Sequence, residues 1–583
     1  MSRRTRLMGS ARALAAQGGR GGAVAPGTRM SVLLVLRTPR SAPPLVATAE
    51  HVVRDRRPLT HEEYFARYQA DAEDVGAVLR FAGENRLTPT KVDRRARAIT
   101  LEGSVADMQR AFDVALVEHL YADKTYRAHE GDATLPPELD GVVRWIFGLN
   151  DVPLAPLGHA GPTPLASKKN EPGPHPALGD VGARPHEKAP WTSYTPPEFA
   201  KMYDFPEELL GRGACVGVLE LYGGYLRSDM DAFFAGVGVP MPSIVDVGAN
   251  VQSSGADAWA NFEVTMDVEV AASCAPEARC VVYFSGAAGF DEVTARTYFE
   301  LLSTAILDDV NKPDALTMSW GLPEGAPNAW TRPDAEVVDE LFVVAAILGI
   351  TACLPSGDSG SIYPITWGMF NAPSLVYYPG SSPWGLSVGG TTARIRDGQI
   401  VDEVVWNRLA HNMRLIYGSD VQLCNLGSSG GGVSHFFEKP AWQARADVPE
   451  ATLYDFESWT FSNPRSMRGR GVPDVAANTD FLVGYKIYVQ GGWRYGGGTS
   501  ASTPFTAALM TRLREGVGQR LGFLNPLLYK LQLEDGVDVL HPIVEGNNGG
   551  YVAGPDRRWN PCTGLGAIRG RPLLVALRRA FGR

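Results

Sequence analysis

Cysteine is scarce in this sequence, with six residues among 583, so a disulfide-stapled scaffold is excluded. Cys274 and Cys280 lie close enough along the chain to form a bridge, but their spacing matches no zinc-binding pattern, and we expect two buried thiols. Long apolar runs are also missing. The longest, from Leu341 to Leu354, contains Gly349 and Thr351 and is too short to span a membrane. We therefore expect no membrane partner.

Positive charge is not in excess either. The net charge of −9 gives no electrostatic reason to expect nucleic acid as a partner. Apolar residues at 44% and charged residues at 20% are typical of a folded globular protein. Because 583 residues are too many for one ordinary core, we expect two domains, or one large domain with an appendage.

Acidic residues are absent before Glu50, whereas eight arginines precede it. We expect residues 1–29 to be a disordered or targeting tail. The apolar stretch from Val32 to Leu36 is too short to be the core of a convincing signal peptide.

Residues 30–154 have the pattern of a small α+β domain. A capping box at Thr60 predicts the start of a helix. Periodicity predicts two more helices and one strand, namely Asp74 to Glu84, Val105 to Phe112 and Lys91 to Glu102. Residues 155–190 are rich in Pro, Gly, Ala and Lys without apolar periodicity, which indicates an exposed linker that a protease can cut.

From residue 191 to residue 583 the pattern changes to buried strands that alternate with helices. Expected strands are Ala214 to Leu221, Arg279 to Phe284, Ala315 to Ser319 and Ile350 to Leu354. Expected helices are Arg227 to Gly236, Asn261 to Ala272, Asp291 to Asp309 and Asp334 to Leu348. This alternation predicts a doubly wound α/β domain, in which sites lie at the carboxyl ends of the strands.

Ser500 follows three glycines and begins a helical pattern. The first turn of a helix has unpaired backbone N–H groups and the positive end of the helix dipole, so a nucleophilic hydroxyl there is well placed to act on a carbonyl group. The alternative is that Ser500 only caps the helix.

Glu263 and Asp267 lie four residues apart, which places both carboxyl groups on one face of a helix. Two solvated acids on an outer face are the alternative. The helix is apolar around most of its circumference, however, and carboxyl groups held together on a buried helix share a proton.

Asp358 and Ser359 follow directly on an expected central strand. The Gly-Asp-Ser-Gly run around them is similar to the nucleophile segment of chymotrypsin-like proteases. That interpretation needs an all-β fold and a matching histidine segment, and the sequence has neither. Ser359 is therefore rejected as a nucleophile, and Asp358 becomes the residue of interest at this strand end.

The order of these segments resembles the sedolisin (serine-carboxyl peptidase, kumamolisin-like) family over most of the chain. The segments that carry the resemblance are His61 to Phe65, Glu220 to Tyr225, the Glu263/Asp267 helix, Ser319 to Gly321, Gly357 to Gly360, Gly471 to Ala476 and Gly498 to Ala501. The resemblance implies a subtilisin-like doubly wound parallel sheet with helices on both faces. It also implies that residues 30–154 are an activation propeptide.

Carried over to this sequence, the resemblance makes Ser500 the nucleophile, Glu263 its general base and Asp267 the group that orients Glu263. Asp358 then serves as the oxyanion donor, which requires a protonated carboxyl group because a carboxylate cannot donate a hydrogen bond. The resemblance also implies substrate-binding and supporting roles for Ser319, Trp320, Gly321 and Glu220. The first three are expected to pair with the extended substrate, and Glu220 is expected to support Glu263.

This sequence departs from the family's pattern at the calcium site. Pro542 and Asn560 stand where aspartates are expected, and Arg558 replaces a glycine, with Ile543 beside the first of these positions. Calcium prefers several hard, anionic oxygens. We expect the site to be lost, or to bind the ion through carbonyl oxygens alone, and no other cofactor is expected.

The function expected from the resemblance is that of an acid-acting serine-carboxyl endopeptidase, made as a zymogen that is cut near Lys188 to Trp191. Alternatives are a tripeptidyl-peptidase and a catalytically silent relative that only binds. Protein or peptide substrates and the chain's own propeptide are the expected partners, and a monomer is expected. The expected location is extracellular or an acidic, lysosome-like compartment.

Overall fold

The computed structural model describes residues 4–11, 19–121, 124–154, 193–325, 329–361, 376–408, 427–455, 460–466, 468–556 and 558–583. The whole of the expected linker, residues 155–190, and the expected cleavage segment near Lys188 to Trp191 lie outside these residues.

A four-stranded antiparallel sheet forms the centre of the amino-terminal domain. Its strands, in spatial order, are Thr88–Asp93, Ala98–Ser104, Arg29–Leu36 and Val143–Phe147. A second sheet joins Gly19–Ala23, Ala115–Tyr121 and Lys124–Glu130, and Thr5–Arg6 pairs with Thr134–Leu135. The helices are Leu45–Asp55, His61–Tyr68, Ala72–Glu84 and Val105–Phe112. The α+β class expected for this part is confirmed, as is the capping box at Thr60.

The strand Arg29–Leu36 is formed by an apolar run that does not alternate with polar residues. Val32 and Leu34 point into the core of the amino-terminal domain. Leu33 and Val35 point to the opposite face and join a core shared with the carboxy-terminal domain. Side chains of a strand alternate between faces, so a strand that is buried on both faces is apolar throughout.

Two expectations for this domain are wrong. Residues 4–11 and 19–29 are not a disordered tail, since Thr5–Arg6 and Gly19–Ala23 pair with strands of the domain and the Arg4 guanidinium donates to Thr134 Oγ1 at 2.6 Å. The stretch from Lys91 to Glu102 is not one strand but parts of two, Thr88–Asp93 and Ala98–Ser104, joined by a turn. Alternation continues on both sides of a tight hairpin turn, so it does not reveal the turn.

The carboxy-terminal domain is organised around one large, mainly parallel sheet. Its strands, in spatial order, are Ile244–Val247, Arg279–Phe284, Cys215–Glu220, Ala315–Met318, Thr351–Pro355, Leu386–Arg396, Val475–Asn478, Ala567–Ile568 and Leu540–His541, with Gln399–Val405 paired to Leu386–Arg396. Smaller strand pairs are Leu322–Pro323 with Tyr377–Tyr378, Gly432–Glu438 with Gly469–Val472, Ala451–Asp455 with Thr460–Ser466, and Tyr485–Val489 with Gly492–Gly496.

Helices cover both faces of this sheet. The helices in the described part of the domain are Pro196–Met202, Arg227–Val237, Trp259–Cys274, Ala295–Ile306, Arg332–Ile347, Thr499–Val517, Asn525–Tyr529 and Gly570–Ala580. The acidic helix (Trp259–Cys274) and the serine helix (Thr499–Val517) pack on one face with Val216 and Val218. Ala295–Ile306 and Arg332–Ile347 pack on the other face. The doubly wound α/β fold expected from the sequence is confirmed.

The cysteines behave as expected. Cys274 and Cys280 are free and buried, and so are Cys215 and Cys353. In the same part of the chain, no helix combines the length and the hydropathy needed to cross a bilayer.

Candidate active site

The serine helix begins where a glycine allows close contact with another loop. Gly498 precedes it with φ of 81°, a left-handed conformation that favours glycine. A Cβ atom on Gly498 would lie 2.5 Å from Asp358 Oδ2, so a side chain here would collide with that carboxyl group. Ser500 lies on the first helical turn and is partly exposed. The position on the first helical turn and the partial exposure of Ser500 both suit a reactive hydroxyl.

The acidic helix brings the expected pair of carboxyl groups into the protein interior. Glu263 is 5% exposed and Asp267 is 0% exposed, so the alternative of two solvated surface acids is wrong. The helix packs against the serine helix, and the Ser500 side chain lies near enough to the Glu263 carboxyl group to lower its pKa. Glu263 and Ser500 are therefore neighbours in the fold, although they lie 237 positions apart along the chain.

Burial dominates the protonation of this pair. It raises the pKa of Glu263 to about 8, against the lowering effect of the Ser500 hydrogen bond, while the nearby Asp358 charge raises that pKa further. Burial, followed by the charges of Glu263 and Glu220, raises the pKa of Asp267 well above its usual value. Ionising all of these groups together is therefore strongly disfavoured.

Four oxygen atoms in this cluster lack a conventional donor. They are both carboxyl oxygens of Asp267 and one each of Glu263 and Glu220. The Ser319 hydroxyl donates to the Ser500 backbone carbonyl at 3.2 Å, and it lies near enough to Asp267 to lower that pKa without satisfying either oxygen in good geometry. Neighbouring buried carboxyl groups without donors are stabilised when they share a proton.

Glu220 extends the cluster from the end of a central strand. It is fully buried, and the indole Nε1 of Trp320 donates to its Oε2 at 2.9 Å. Burial raises the pKa of Glu220 well above its usual value, and the Trp320 hydrogen bond acts against this. The charge of the nearby Glu263 raises this pKa further, and Trp320 is the donor that the structure adds.

Asp358 lies at the end of the strand Thr351–Pro355, opposite the start of the serine helix. Its Oδ1 accepts hydrogen bonds from the Thr499 backbone nitrogen at 2.7 Å and from the Thr499 hydroxyl at 2.6 Å. Burial raises the pKa of Asp358, and the Thr499 hydrogen bonds lower it. Both of these donors act on Oδ1, whereas Oδ2 lies against Gly498.

The segment Ser319 to Gly321 borders Ser500, but its central side chain points inward. The Trp320 ring is buried between Tyr222 and Trp259, with ring-centre distances of 4.9 and 5.6 Å. Ser319 and Gly321 are partly exposed. The backbone of this segment therefore remains the candidate substrate contact, while the Trp320 side chain contacts the carboxyl cluster.

Ser359 lies beside the site without joining it. The Tyr377 hydroxyl donates to Ser359 Oγ at 3.2 Å, and the described contacts include none between Ser359 and the carboxyl cluster. The contact that sequence reasoning missed is Thr499 with Asp358. Thr499 stands next to Ser500 in the glycine-rich run, and a threonine at a helix start is itself a signal for hydrogen bonding.

The residues at the expected calcium site do not fit a calcium ion. The buried Asn560 side chain donates its Nδ2 to the Ile543 carbonyl oxygen at 3.1 Å. Arg558 is half-exposed and pairs with Asp538 at 3.3 Å. No group of three or more His, Cys, Asp or Glu side chains placed to hold a metal occurs in the described part of the chain.

Comparisons with known proteins agree with this architecture. A family model described as "Pro-kumamolisin, activation domain" matches residues 17–152, and one described as "Subtilase family" matches residues 264–526. The chain is 35% identical to kumamolisin from Bacillus sp. (strain MN-32), covering 98% of this chain and 96% of that protein. It is 24% identical to tripeptidyl-peptidase sed5 from Aspergillus fumigatus, covering 96% and 94%.

Among solved structures, Pseudomonas sedolisin in complex with pseudo-iodotyrostatin superimposes with a TM-score of 0.54 at 25% identity, covering 67% of this chain and 98% of that chain. The fold, the matched activation domain and these relatives define a serine-type peptidase made with its propeptide attached. The chain belongs to the sedolisin (kumamolisin-like) family.

Proposed function

We propose that this peptidase is an acid-acting serine-carboxyl endopeptidase that processes its own precursor. The observation that carries the proposal is the closeness of the Ser500 side chain to Glu263, on two packed helices, inside a buried, donor-poor cluster of carboxyl groups. Glu263 takes the place of the histidine that most serine peptidases use as a base.

Ser500 Oγ attacks the carbonyl carbon of the scissile peptide bond, and Glu263 accepts the hydroxyl proton. When the tetrahedral intermediate collapses, Glu263 returns this proton to the leaving amine nitrogen and an ester forms at Ser500. Water then hydrolyses the ester by the same proton transfers in reverse order. Asp267 orients Glu263 and shares its charge.

Asp358 donates a hydrogen bond to the oxyanion in this scheme. Oδ1 already accepts two bonds from Thr499, so the proton resides on Oδ2, which lies beside the start of the serine helix. Unpaired N–H groups in the first helical turn add to the stabilisation of the negative charge. A neutral Asp358 is therefore a condition for activity.

The carboxyl cluster must carry a negative charge to act as a base, whereas Asp358 must stay protonated. Because Glu220, Glu263 and Asp267 interact, their protons are lost in steps that belong to the whole cluster. One negative charge in the cluster is sufficient to accept the serine proton. We therefore propose that the cluster acts as the base once it has lost its first proton. Low pH keeps Asp358 neutral and the further ionisations suppressed, so an acidic optimum requires that the cluster lose its first proton at a lower pH than Asp358 does.

Contacts between the two domains support control by the propeptide. Every ion pair that joins them in the described residues has its cation on the amino-terminal domain and its carboxylate on the peptidase domain: Arg95 with Asp309, Arg97 and Arg144 with Glu340, and Lys124 with Asp291. Acid protonates the carboxylates while the cations keep their charge, so the attraction between the domains weakens. The apolar core that the domains share remains.

His61 adds a second acid-sensitive contact at this interface. It is 5% exposed, and its Nε2 lies 3.1 Å from the Ile306 carbonyl oxygen. Burial lowers the pKa of His61, and the charges of Arg520 and Lys312 lower it further. Protonating this histidine at low pH therefore places a third cation next to two others, which favours separation of the domains.

Protein or peptide substrates follow from the family, whereas the mode of cleavage is part of the proposal. One relative is a tripeptidyl-peptidase, so release of amino-terminal tripeptides is the second candidate function. An acidic extracellular or lysosome-like location follows from the proposed chemistry.

The test is to acidify the purified precursor, add one denatured protein to the processed enzyme and identify the released peptides by mass spectrometry. Internal cuts at many positions support an endopeptidase, and successive tripeptides from the amino terminus favour the second candidate. A precursor that neither processes itself nor releases any peptide indicates a binding protein. The Ser500→Ala precursor, treated in the same way, is the control for contaminating peptidases.

A further inference from the structure

Two loops near the carboxyl terminus, residues 541–551 and residues 558–564, are joined by the side chains of two buried asparagines. Asn560 is 2% exposed and Asn548 is 0% exposed. We call this pair of loops the asparagine-linked loops. They lie beside the edge of the main sheet, where Leu540–His541 pairs with Ala567–Ile568.

Asn560 uses both ends of its amide group. Its Oδ1 accepts from the Cys562 backbone nitrogen at 2.9 Å, from the Thr563 backbone nitrogen at 3.0 Å and from the Thr563 hydroxyl at 3.1 Å. Its Nδ2 crosses to the other loop and donates to the Ile543 carbonyl oxygen at 3.1 Å. The amide thus closes its own turn and connects that turn to the other loop.

Asn548 makes the matching contact in the opposite direction. Its Nδ2 donates to the Pro561 carbonyl oxygen at 3.3 Å, and its Oδ1 accepts from Tyr551 N and Ser361 Oγ, each at 3.0 Å. Each loop therefore supplies one amide that binds a carbonyl group of the other loop. Hydrogen bonds between buried groups are costly to lose, because the abandoned partner stays without water.

We propose that the Asn560 amide replaces a divalent cation between the asparagine-linked loops. A bound calcium ion needs oxygen ligands at about 2.3–2.6 Å, several of them anionic. Here the Ile543 carbonyl oxygen faces an N–H donor, whose partly positive hydrogen occupies the place of an ion and repels one.

Two carboxylates nearby are paired at the surface, and a third, Asp556, is exposed. Glu545 is exposed and pairs with Arg394 at 3.0 Å, and Asp538 is exposed and pairs with Arg558 at 3.3 Å. Both ion pairs lie at the surface. The charge that calcium requires is therefore missing from the interior, and the neutral amide satisfies the same carbonyl group without a metal.

The test compares melting temperatures of the full-length precursor in excess calcium chloride and in excess chelator. Self-digestion is prevented by the Ser500→Ala substitution. The proposal predicts equal melting temperatures, within about 1 °C, since a ligand that does not bind the folded state does not stabilise it. A fall of several degrees with chelator overturns the proposal, as does one-to-one calcium binding by calorimetry that Asn560→Ala abolishes.

Asn560→Asp tests the amide directly, since it changes one N–H donor into a charged acceptor. In chelator this variant should melt several degrees lower, and calcium should restore part of the loss. Asn547→Asp is the matched control, because the same charge is added at an exposed position in the neighbouring loop. An Asn560→Asp variant as stable in chelator as the chain with Asn560 contradicts the proposal. If Asn560→Asp fails to fold, the comparison of calcium with chelator in the chain with Asn560 decides alone.

Discussion

Thr499 donates two hydrogen bonds to a single carboxyl oxygen of Asp358, one from its backbone nitrogen at 2.7 Å and one from its hydroxyl at 2.6 Å. The contact joins the start of the serine helix to the end of a central strand. It divides the Asp358 carboxyl group into one oxygen that accepts and one that is left to carry a proton. The proposed oxyanion donor is thereby oriented by the residue next to the proposed nucleophile.

Asp358→Ala should lower kcat by roughly 10²- to 10³-fold, which is the usual loss when one oxyanion donor is removed. Asp358→Asn should retain much more activity, because an amide donates a hydrogen bond at every pH. Its activity should also persist to higher pH than that of the unaltered enzyme. Steady-state rates on one peptide at several pH values measure both effects, and equal losses in the two variants would count against a donor role.

Thr499→Val should shift the alkaline limb of the pH–activity profile upward. The Thr499 hydroxyl stabilises the ionised form of Asp358, so its removal raises the pKa of Asp358 and keeps the active, protonated form to higher pH. Thr503→Val is the control, since this buried hydroxyl one turn later donates to the Thr499 carbonyl and does not contact Asp358. A downward shift, or equal shifts in both variants, would contradict this assignment.

Asp339→Asn should flatten the pH dependence of folding stability. Asp339 is 7% exposed, and burial raises its pKa to about 7, with the Ser382 side chain acting in the opposite direction. The folded state therefore holds this proton more tightly than the unfolded state. The contribution of this bound proton to folding stability is fully present below about pH 4 and is lost as pH rises to about 7.

We expect the Asp339→Asn variant to gain roughly 2–4 kcal/mol relative to its parent between pH 4 and pH 8, from the size of the pKa shift. Denaturant unfolding of the Ser500→Ala precursor, with and without this substitution, measures the difference at the two pH values. Asp447→Asn, which removes an exposed acid, is the matched control. The account of Asp339 fails if both substitutions leave the same pH dependence.

Glu340→Gln should allow the precursor to process itself at higher pH. Glu340 binds Arg97 at 2.6 Å and also Arg144, so a neutral side chain here mimics the acid-protonated interface. The pH at which half of the precursor is cleaved in a fixed time, read from gels, is the measurement. Glu208→Gln serves as the control, because Glu208 pairs with Arg571 within the peptidase domain. An unchanged or lower midpoint for Glu340→Gln would argue against ion pairs that hold the propeptide on the peptidase domain.

Local sequence pattern was enough to predict the strands and helices that place the site. The spacing of Glu263 and Asp267 predicts one helix face and their apolar neighbours favour burial, because both are properties of a single helix. The strand before Asp358 was recognised in the same way, as a continuous apolar run. Each of these inferences depends on residues that are close together in the chain.

Contacts between distant residues could not be predicted in this way. Thr499 and Asp358 are 141 positions apart, and the inward direction of the Trp320 ring depends on where Glu220 lies in the neighbouring strand. The pairing of Gly19–Ala23 with Ala115–Tyr121 could not be predicted either, because a glycine-rich strand shows no apolar alternation. The replacement of aspartate by Asn560 was visible in the sequence, but its donation to Ile543 depends on the approach of two loops.

The central claim is that Ser500 is the nucleophile and that a carboxyl group serves as its base. The most direct measurement is to mix the processed enzyme with a peptide ester at acidic pH, quench with strong acid and locate the acyl group by mass spectrometry. We predict an ester on Ser500 in the parent enzyme and an accumulation rate roughly 10²- to 10⁴-fold slower in Glu263→Gln, the usual range for loss of a general base. An acyl group on another residue, or full-speed acylation in Glu263→Gln, would contradict the account.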